Sequence, residues 1–203
     1  MKRYECLDIL ASIIADEDIV VANVGNTSLE LHAVRASPAN LYNVNLGQCT
    51  PVALGLALAL PKRRVIALDG DGNMLMNLAS LADVARHKPA NLRIIIFDNE
   101  AYESPGGLPS ATAGDTNLEK IADASGIKKT LTVSSVEEFK KNAQAFLEAK
   151  ELSVLVAKIE TGTVKVAHLN MDGKRNKYIF AGYIEETEKK PVLRLRSQSP
   201  LVE

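Results

Sequence analysis

Two periods run along the chain. Branched apolar runs at 18–24, 64–67, 92–96 and 152–159 predict buried strands, and shorter runs at 40–44 and 129–133 predict two more. Segments with helical spacing separate them. Tyr4 to Ile14 puts Cys6, Leu7, Leu10, Ile13 and Ile14 on one face. Thr27 or Ser28 caps a short helix through His32. Thr50-Pro51 opens a helix that is apolar all round to Leu60 and is therefore expected to be buried. Met74 to His87 reads as one amphipathic helix, and Asn117 to Ser125 as another with Thr116 as cap and Gly126 as stop. Ser135 and Glu138 form a capping box for a helix ending near Lys150. Lys174 to Tyr183 is a further candidate helix. Strands alternating with helices imply an α/β, three-layer fold, a mostly parallel sheet with helices on both faces. The expected division is one domain over 1–185 and a polar tail over 186–203.

Composition narrows the function classes. At 203 residues, 46% hydrophobic and 24% charged, the chain is an ordinary globular domain that needs no staples. A net charge of −1 gives no argument for a nucleic-acid or anionic-membrane partner. The longest apolar run, Val52 to Leu60, is too short to span a bilayer. Arg3, Glu5 and Asp8 stand where a signal peptide needs apolar residues, so a cytoplasmic location is expected. Cys6 and Cys49 have no metal-type spacing and are expected to pack in the core.

The chemistry concentrates in two polar turns, each after a buried strand. The first is Asp69-Gly70-Asp71-Gly72-Asn73, the second Asp98-Asn99-Glu100-Ala101-Tyr102. In parallel sheets ligands bind at the carboxyl ends of strands, where both turns and Gly25 fall. Asp71 offers a carboxylate, Asn99 an amide oxygen and the following segment a backbone carbonyl, the ligand types a hard divalent cation takes. Gly70 and Gly72 admit a ligand close to the backbone, and the helix after them offers free N–H groups to an anion. Together these describe a Mg²⁺-bridged phosphate or diphosphate site. A calcium EF-hand loop fails, because Met74 stands where that loop needs Gly and Ser80 where it needs Glu. The plain alternative is that the Asp-Gly turns only link strands to helices.

The two turns also carry a resemblance. Gly70-Asp71-Gly72 is followed, 28 positions after Asp71, by Asn99 in the pair Asp98-Asn99. Three other stretches accompany them: Gly25 to Leu31, Leu68 to Asn77, and Glu103-Ser104-Pro105-Gly106-Gly107-Leu108-Pro109. In this order they resemble the diphosphate-binding (PP) domain of thiamine-diphosphate enzymes, in particular phosphonopyruvate decarboxylases and the β subunit of sulfopyruvate decarboxylase, over about residues 3–185. The resemblance implies Mg²⁺ held by Asp71, Asn99 and the Ala101 carbonyl. It implies thiamine diphosphate bound by Gly25, Asn26, Thr27, Gly70, Gly72, Asn73 (backbone and side chain) and Tyr102. Leu46 falls on the bulky residue that bends the cofactor, and the Val44 carbonyl on the acceptor of its 4′-amino group. These two are the catalytic candidates.

The pattern departs at Asp98, where the family has Asn; at Val44-Asn45, where relatives have Gly-Ser; and at Leu108-Pro109-Ser110, where they have Gln-Pro-Thr. The resemblance also implies a partner. The family's activating Glu comes from a pyrimidine-binding (PYR) domain for which this chain has no room. The reading is thus a β-type subunit of a small 2-oxo-acid decarboxylase, in a homo- or hetero-oligomer with the cofactor at the interface. The alternatives are a non-catalytic paralogue and a subunit of a carboligase or oxidoreductase. Elsewhere, His87 reads as a helix terminator, His32 as a residue of its helix more than of the substrate mouth it could reach, Tyr102 and Glu103 as substrate contacts or loop supports, and Ser104 with Gly106-Gly107 as an anion site or a hinge. His168 reads as part of a solvated tail.

Overall fold

Four strands whose side chains are buried along nearly their whole length form the middle of a parallel sheet, and everything else is arranged on their two faces. A computed structural model describes residues 1–103, 106–167 and 172–192. In chain order the elements are α1 (Arg3–Ala11), β1 (Ile19–Asn23), α2 (Asn26–Val34), β2 (Asn40–Val44), α3 (Cys49–Ala59), β3 (Val65–Gly70), α4 (Asp71–Leu75), α5 (Ala79–His87) and β4 (Leu92–Asp98). A short hairpin, β5 (Ala101–Tyr102) and β6 (Leu108–Pro109), and a 3₁₀ turn (Ala111–Ala113) lead to α6 (Leu118–Ala124), β7 (Lys129–Val133), α7 (Val136–Glu148), β8 (Ser153–Lys158) and α8 (Gly173–Glu188). The main sheet runs β2-β1-β3-β4-β8-β7, all parallel, as the strand and helix alternation requires.

The two-residue period of each strand sorts its side chains onto two cores. Ile19 and Val21, Val65 and Ala67, Leu92, Ile94 and Ile96, and Val154 and Val156 meet α3, α5, α6 and α8. Val20 and Ala22, Ile66 and Leu68, Ile95 and Phe97, and Leu155 and Ala157 meet α1, α2 and α7, where Phe139 and Leu10 are fully buried. From β1 the chain crosses outward to β2 through α2, then returns past β1 to β3 through α3. The β1/β3 boundary is therefore the topological switch point, where a crevice opens at the carboxyl ends.

Several local expectations shift. The Met74–His87 segment is two helices, because Asn77 between them turns its amide to the Gly47 carbonyl at 2.9 Å. Thr50 lies inside α3 and caps nothing; its hydroxyl donates to Asp69 at 2.8 Å instead. Asn117, not Thr116, caps α6, accepting the Lys120 N–H. Ser135 caps α7 as expected, but Glu138 reaches back to the Ser134 N–H. Helix α3 is not buried all round: Gly55, Leu58 and Ala59 face outward, with Leu58 48% exposed. The Gly- and Pro-rich segment after Glu103 supplies β6, which pairs back on β5, and then the 3₁₀ turn. Cys6 and Cys49 are buried and free; burial pushes the Cys6 thiol up to about 12 and also raises Cys49 well above the usual thiol range. Ser104, Pro105, His168 and residues 193–203 lie outside the described residues.

β2 is an outer strand whose free edge is spanned by α8. Asn176, buried, accepts the Tyr42 N–H at 2.8 Å and donates to the Asn40 carbonyl at 3.3 Å. Removing that amide leaves two buried backbone groups unpaired. Asn176→Ala is expected to cost roughly 2 kcal/mol in urea denaturation. Amide exchange should speed up in β2 before it does in β3 or β4.

Candidate functional site

Each polar turn follows from the strand before it. β1 ends at Asn23, and Gly25, at φ 100°, turns the chain directly into α2. β3 ends at Gly70 and α4 starts at Asp71 with no intervening residue. β4 ends at Asp98, and Glu100, at φ 60°, reverses the chain into the β5–β6 hairpin. Around these three strand ends lies a cavity of about 230 Å³. Gly25, Asn26, Thr27, Leu46, Gly70, Asp71, Gly72, Asn73, Asn99, Ala101 and Tyr102 line it. Neither α2 nor α4 has a capping side chain, whereas α6, α7 and α8 do. The first N–H groups of both helices are thus left for another acceptor.

The glycines are required by what packs on them. A Cβ at Gly72 would stand 2.6 Å from the Tyr102 ring, so the ring packs directly on Gly72. A Cβ at Gly70 would come within 3.2 Å of the Asn23 amide nitrogen. Asp71 is 3% exposed and accepts from Ser110 at 2.5 Å and from Thr112 at 3.2 Å. Burial raises its pKa, the Ser110 hydrogen bond works against that rise, and the Asp98 charge adds to it. Asn99 is buried, and its amide oxygen accepts the Ala101 N–H at 3.1 Å. Ala101 stands opposite Pro109, which has no N–H to donate to it.

Asp98 does not disturb the site as a bare charge. It forms an ion pair with Lys158 at 2.8 Å, its register neighbour on β8, and accepts from Thr112 at 2.7 Å. Lys158 also reaches Glu100 at 2.8 Å; burial works against its charge, but the hydrogen bonds it donates to the two carboxylates win and raise its pKa. Asp69, the fully buried carboxylate behind the turn, has its pKa raised by desolvation despite hydrogen bonds from Asn73, Thr50 and the Gly70 N–H.

Two candidates sit differently from their expected roles. The Asn73 side chain is already engaged at both ends: it accepts the Gly47 N–H at 2.7 Å and donates to Asp69. It ties the Leu46 loop to the glycine turn, which leaves its backbone for an anion. Val44 is not brought to the cavity wall, and its carbonyl accepts the Val24 N–H at 2.9 Å. Leu46 does stand at the mouth, 57% exposed, while His32 lies edge-on to Tyr42 and outside the cavity.

Other residues of the site escaped the sequence. Ser110 and Thr112 reach Asp71 from 39 and 41 positions away, a distance no local spacing signals. Asn23 lines the cavity, and its amide oxygen is the one buried side-chain polar atom without a partner among the described residues. Such an atom costs stability unless a ligand meets it. A larger cavity, about 630 Å³, opens at the other end of the sheet among Arg63, Arg64, Pro89 and Lys150. It lies at the amino ends of the strands, and its Asp18 carboxylate and Asn91 amide are already committed, to Arg64 and to the carbonyls of Ala57, Leu60 and Arg63, so the smaller cavity is the functional candidate.

The donor set fits a hard cation with a phosphate group: a carboxylate, an amide oxygen and a backbone carbonyl, beside two helix starts and an unpartnered amide. Among the described residues no three His, Cys, Asp or Glu side chains gather as a metal site, so softer metals have no equivalent set. The fold and this cavity define a diphosphate-type binding domain. Residues 23–157 match the family described as thiamine pyrophosphate enzyme, C-terminal TPP binding domain, and the chain belongs to it. The sulfopyruvate decarboxylase subunit beta of Methanocaldococcus jannaschii is 34% identical over 187 residues, covering 92% of this chain and 98% of that one. The phosphonopyruvate decarboxylase of Streptomyces hygroscopicus is 35% identical over 137 residues, 67% of this chain but 34% of that longer one. The benzoylformate decarboxylase structure from Polynucleobacter necessarius superposes with a TM-score of 0.66 at 22% identity, covering 80% of this chain and 34% of that one, which supports the fold. No helix among the described residues is long and apolar enough to cross a membrane.

The Asp98–Lys158 pair gives a test of how the second turn is held. Lys158→Met strands a buried carboxylate and is expected to cost about 2 kcal/mol, a figure reduced because Lys158 is one-third exposed. Adding Asp98→Asn should recover most of that loss in denaturant titration. Losses that simply add would mean the two residues are not coupled.

Proposed function

We propose that the chain is the diphosphate-binding, β-type subunit of a Mg²⁺- and thiamine-diphosphate-dependent decarboxylase of a small 2-oxo acid, such as sulfopyruvate or phosphonopyruvate. The observation that carries this is the meeting of Asp71, Asn99, Ala101 and the uncapped start of α2 in one cavity at the switch point. The near-complete overlap with a decarboxylase β subunit supports the same reading.

In this reading Asp71, Asn99 and the Ala101 carbonyl hold Mg²⁺, and Ser110 and Thr112 fix the Asp71 carboxylate for it. The Gly72 and Asn73 N–H groups and the Gly25-Asn26-Thr27 turn bind the diphosphate. When bound, thiamine diphosphate supplies the electron sink for loss of CO₂ from the 2-oxo acid. Leu46 supports the bend of the cofactor and, with Tyr102, keeps water from the buried end.

The rest of the active centre belongs to a PYR-domain partner that carries the activating Glu. At about 230 Å³ the cavity is smaller than a usual cofactor cleft of roughly 300–1,000 Å³. Its mouth is rimmed by apolar side chains that this chain leaves uncovered, Val24, Leu46 and Met76, the last 58% exposed. A second chain seated there would bury them and close the site.

Isothermal titration of Mg²⁺ and thiamine diphosphate into the chain, alone and with its partner, tests the reading. Metal-dependent binding is expected, tighter with the partner, and Asp71→Ala should abolish it. Absence of binding with the partner present would sink it, and binding without 2-oxo-acid decarboxylation would point to a silent paralogue. Asp71→Asn should also raise the melting temperature of the cofactor-free chain, by on the order of 1 kcal/mol of stability. The sign follows from the raised pKa: the folded state favours the neutral carboxyl, so Asp71 costs stability at neutral pH and less as pH falls through its folded pKa.

A further inference from the structure

At the mouth of the same cavity an arginine and a carboxylate face each other in a way that the site described so far does not use. Arg3, from α1, is 6% exposed and lines the cavity, although it lies outside the segment matched to the family. Its Nε and Nη2 are committed to buried Glu30, at 3.0 and 3.3 Å. Its Nη1 is turned to Glu103, at 3.6 Å, beyond hydrogen-bond length. Glu103 has its other oxygen on the Gly162 N–H, while the oxygen near Arg3 also takes a long hydrogen bond, 3.4 Å, from the Asn26 side chain.

Two donors that converge on the cavity, Arg3 Nη1 and Asn26 Nδ2, are therefore held by one loosely bound carboxylate oxygen. Glu30 already neutralises Arg3, so Glu103 leaves the group with one surplus negative charge beside a place meant for an anion. A phosphate oxygen offers the same charge and acceptor geometry, with more oxygens for a guanidinium to meet. We propose that Arg3 and Asn26 form a phosphate-binding point at the cavity mouth, and that the Glu103 carboxylate occupies it until the terminal phosphate of a bound diphosphate takes its place. This rests on the diphosphate reading of the cavity. Glu103 then acts as a placeholder that offers the Arg3 Nη1 and Asn26 Nδ2 donors an acceptor before a phosphate arrives, and weakens binding in proportion.

The test is calorimetry on the full chain with Mg²⁺ and inorganic pyrophosphate, repeated with Mg²⁺ and thiamine diphosphate. Glu103→Gln removes the competing charge but keeps an oxygen for the Gly162 N–H, and should tighten both ligands by roughly tenfold, the scale of one charged hydrogen bond. Arg3→Gln should weaken both by a similar factor. Because it also strips Glu30 of its partner, Glu103→Gln alone decides the matter if that variant does not fold. Asp71→Ala separates the two readings. If it abolishes binding while Glu103→Gln changes affinity less than twofold, the placeholder is overturned and the diphosphate site stands. Binding by Glu103→Gln where wild type binds nothing measurable supports the placeholder, and failure of both to bind overturns both readings.

Discussion

Three carboxylates crowd the carboxyl ends of two neighbouring strands, and much of the structure around them exists to make that tolerable. Asp69, Asp71 and Asp98 are each 3% exposed or less. Withdrawal from water opposes folding for Asp69 and Asp71, and the Asp98 charge adds to the cost at Asp71. Their donors are Thr50, Asn73 and a backbone N–H for Asp69, Ser110 for Asp71, Lys158 for Asp98, and Thr112 shared between Asp71 and Asp98. Thr112 bridges the latter two, and Lys158 is the cation ion-paired with the group among the described residues. The balance stays negative, which is the electrostatic condition under which a divalent cation gains most.

The same donors lock the loops in place. Asn73 and Asn77 clasp Gly47 from opposite sides, one taking its N–H and the other giving to its carbonyl, so the loop carrying Leu46 is fixed to the glycine turn. Tyr102 lies against Gly72, and Ser110 anchors the hairpin to Asp71. The second turn, the hairpin and the 3₁₀ turn thus hang on the first turn. Preorganisation of this kind lowers the ordering cost when a ligand arrives.

The fold was largely legible because burial on both faces leaves an unmistakable pattern. Ile94-Ile95-Ile96 and Val154-Leu155-Val156 have no other use in a soluble domain, and their spacing by helices fixes a parallel sheet. Element ends were less legible where a side chain preferred a distant partner to a local one. Thr50 looks like a cap until Asp69 is placed beneath it, and Met74–His87 looks like one helix until Asn77 finds Gly47. The candidate site was readable in the residues that share a turn, Asp71 and Asn99 above all. It was unreadable in Ser110, Thr112, Asn23 and Lys158, whose roles come from tertiary register. Lys158 is the plainest case: Asp98 reads as a defect of the motif until β4 and β8 pair and bring the lysine opposite it. The helix α3 misled for a different reason. An all-apolar surface signals burial, but among the described residues only one side of α3 meets the sheet, and Leu58 on the other side stays 48% exposed.

That distinction bears on why the site is built so completely on one chain and still left open. Holding three buried carboxylates, an unpartnered Asn23 oxygen and exposed Leu46 and Met76 is costly for a protein that folds alone. The polar part of the cost is met internally, by hydroxyls, amides and Lys158, because those groups must be in place before a cation and an anion are bound. The apolar part is left unmet at the rim, where covering it from within would also block the mouth. A surface that is satisfied in its polar interior and unsatisfied only in its apolar margin is what a shared site requires. On the proposed reading the end that would hold metal and phosphate is rigid beforehand, and the free energy of closing the other end would be left to a partner subunit.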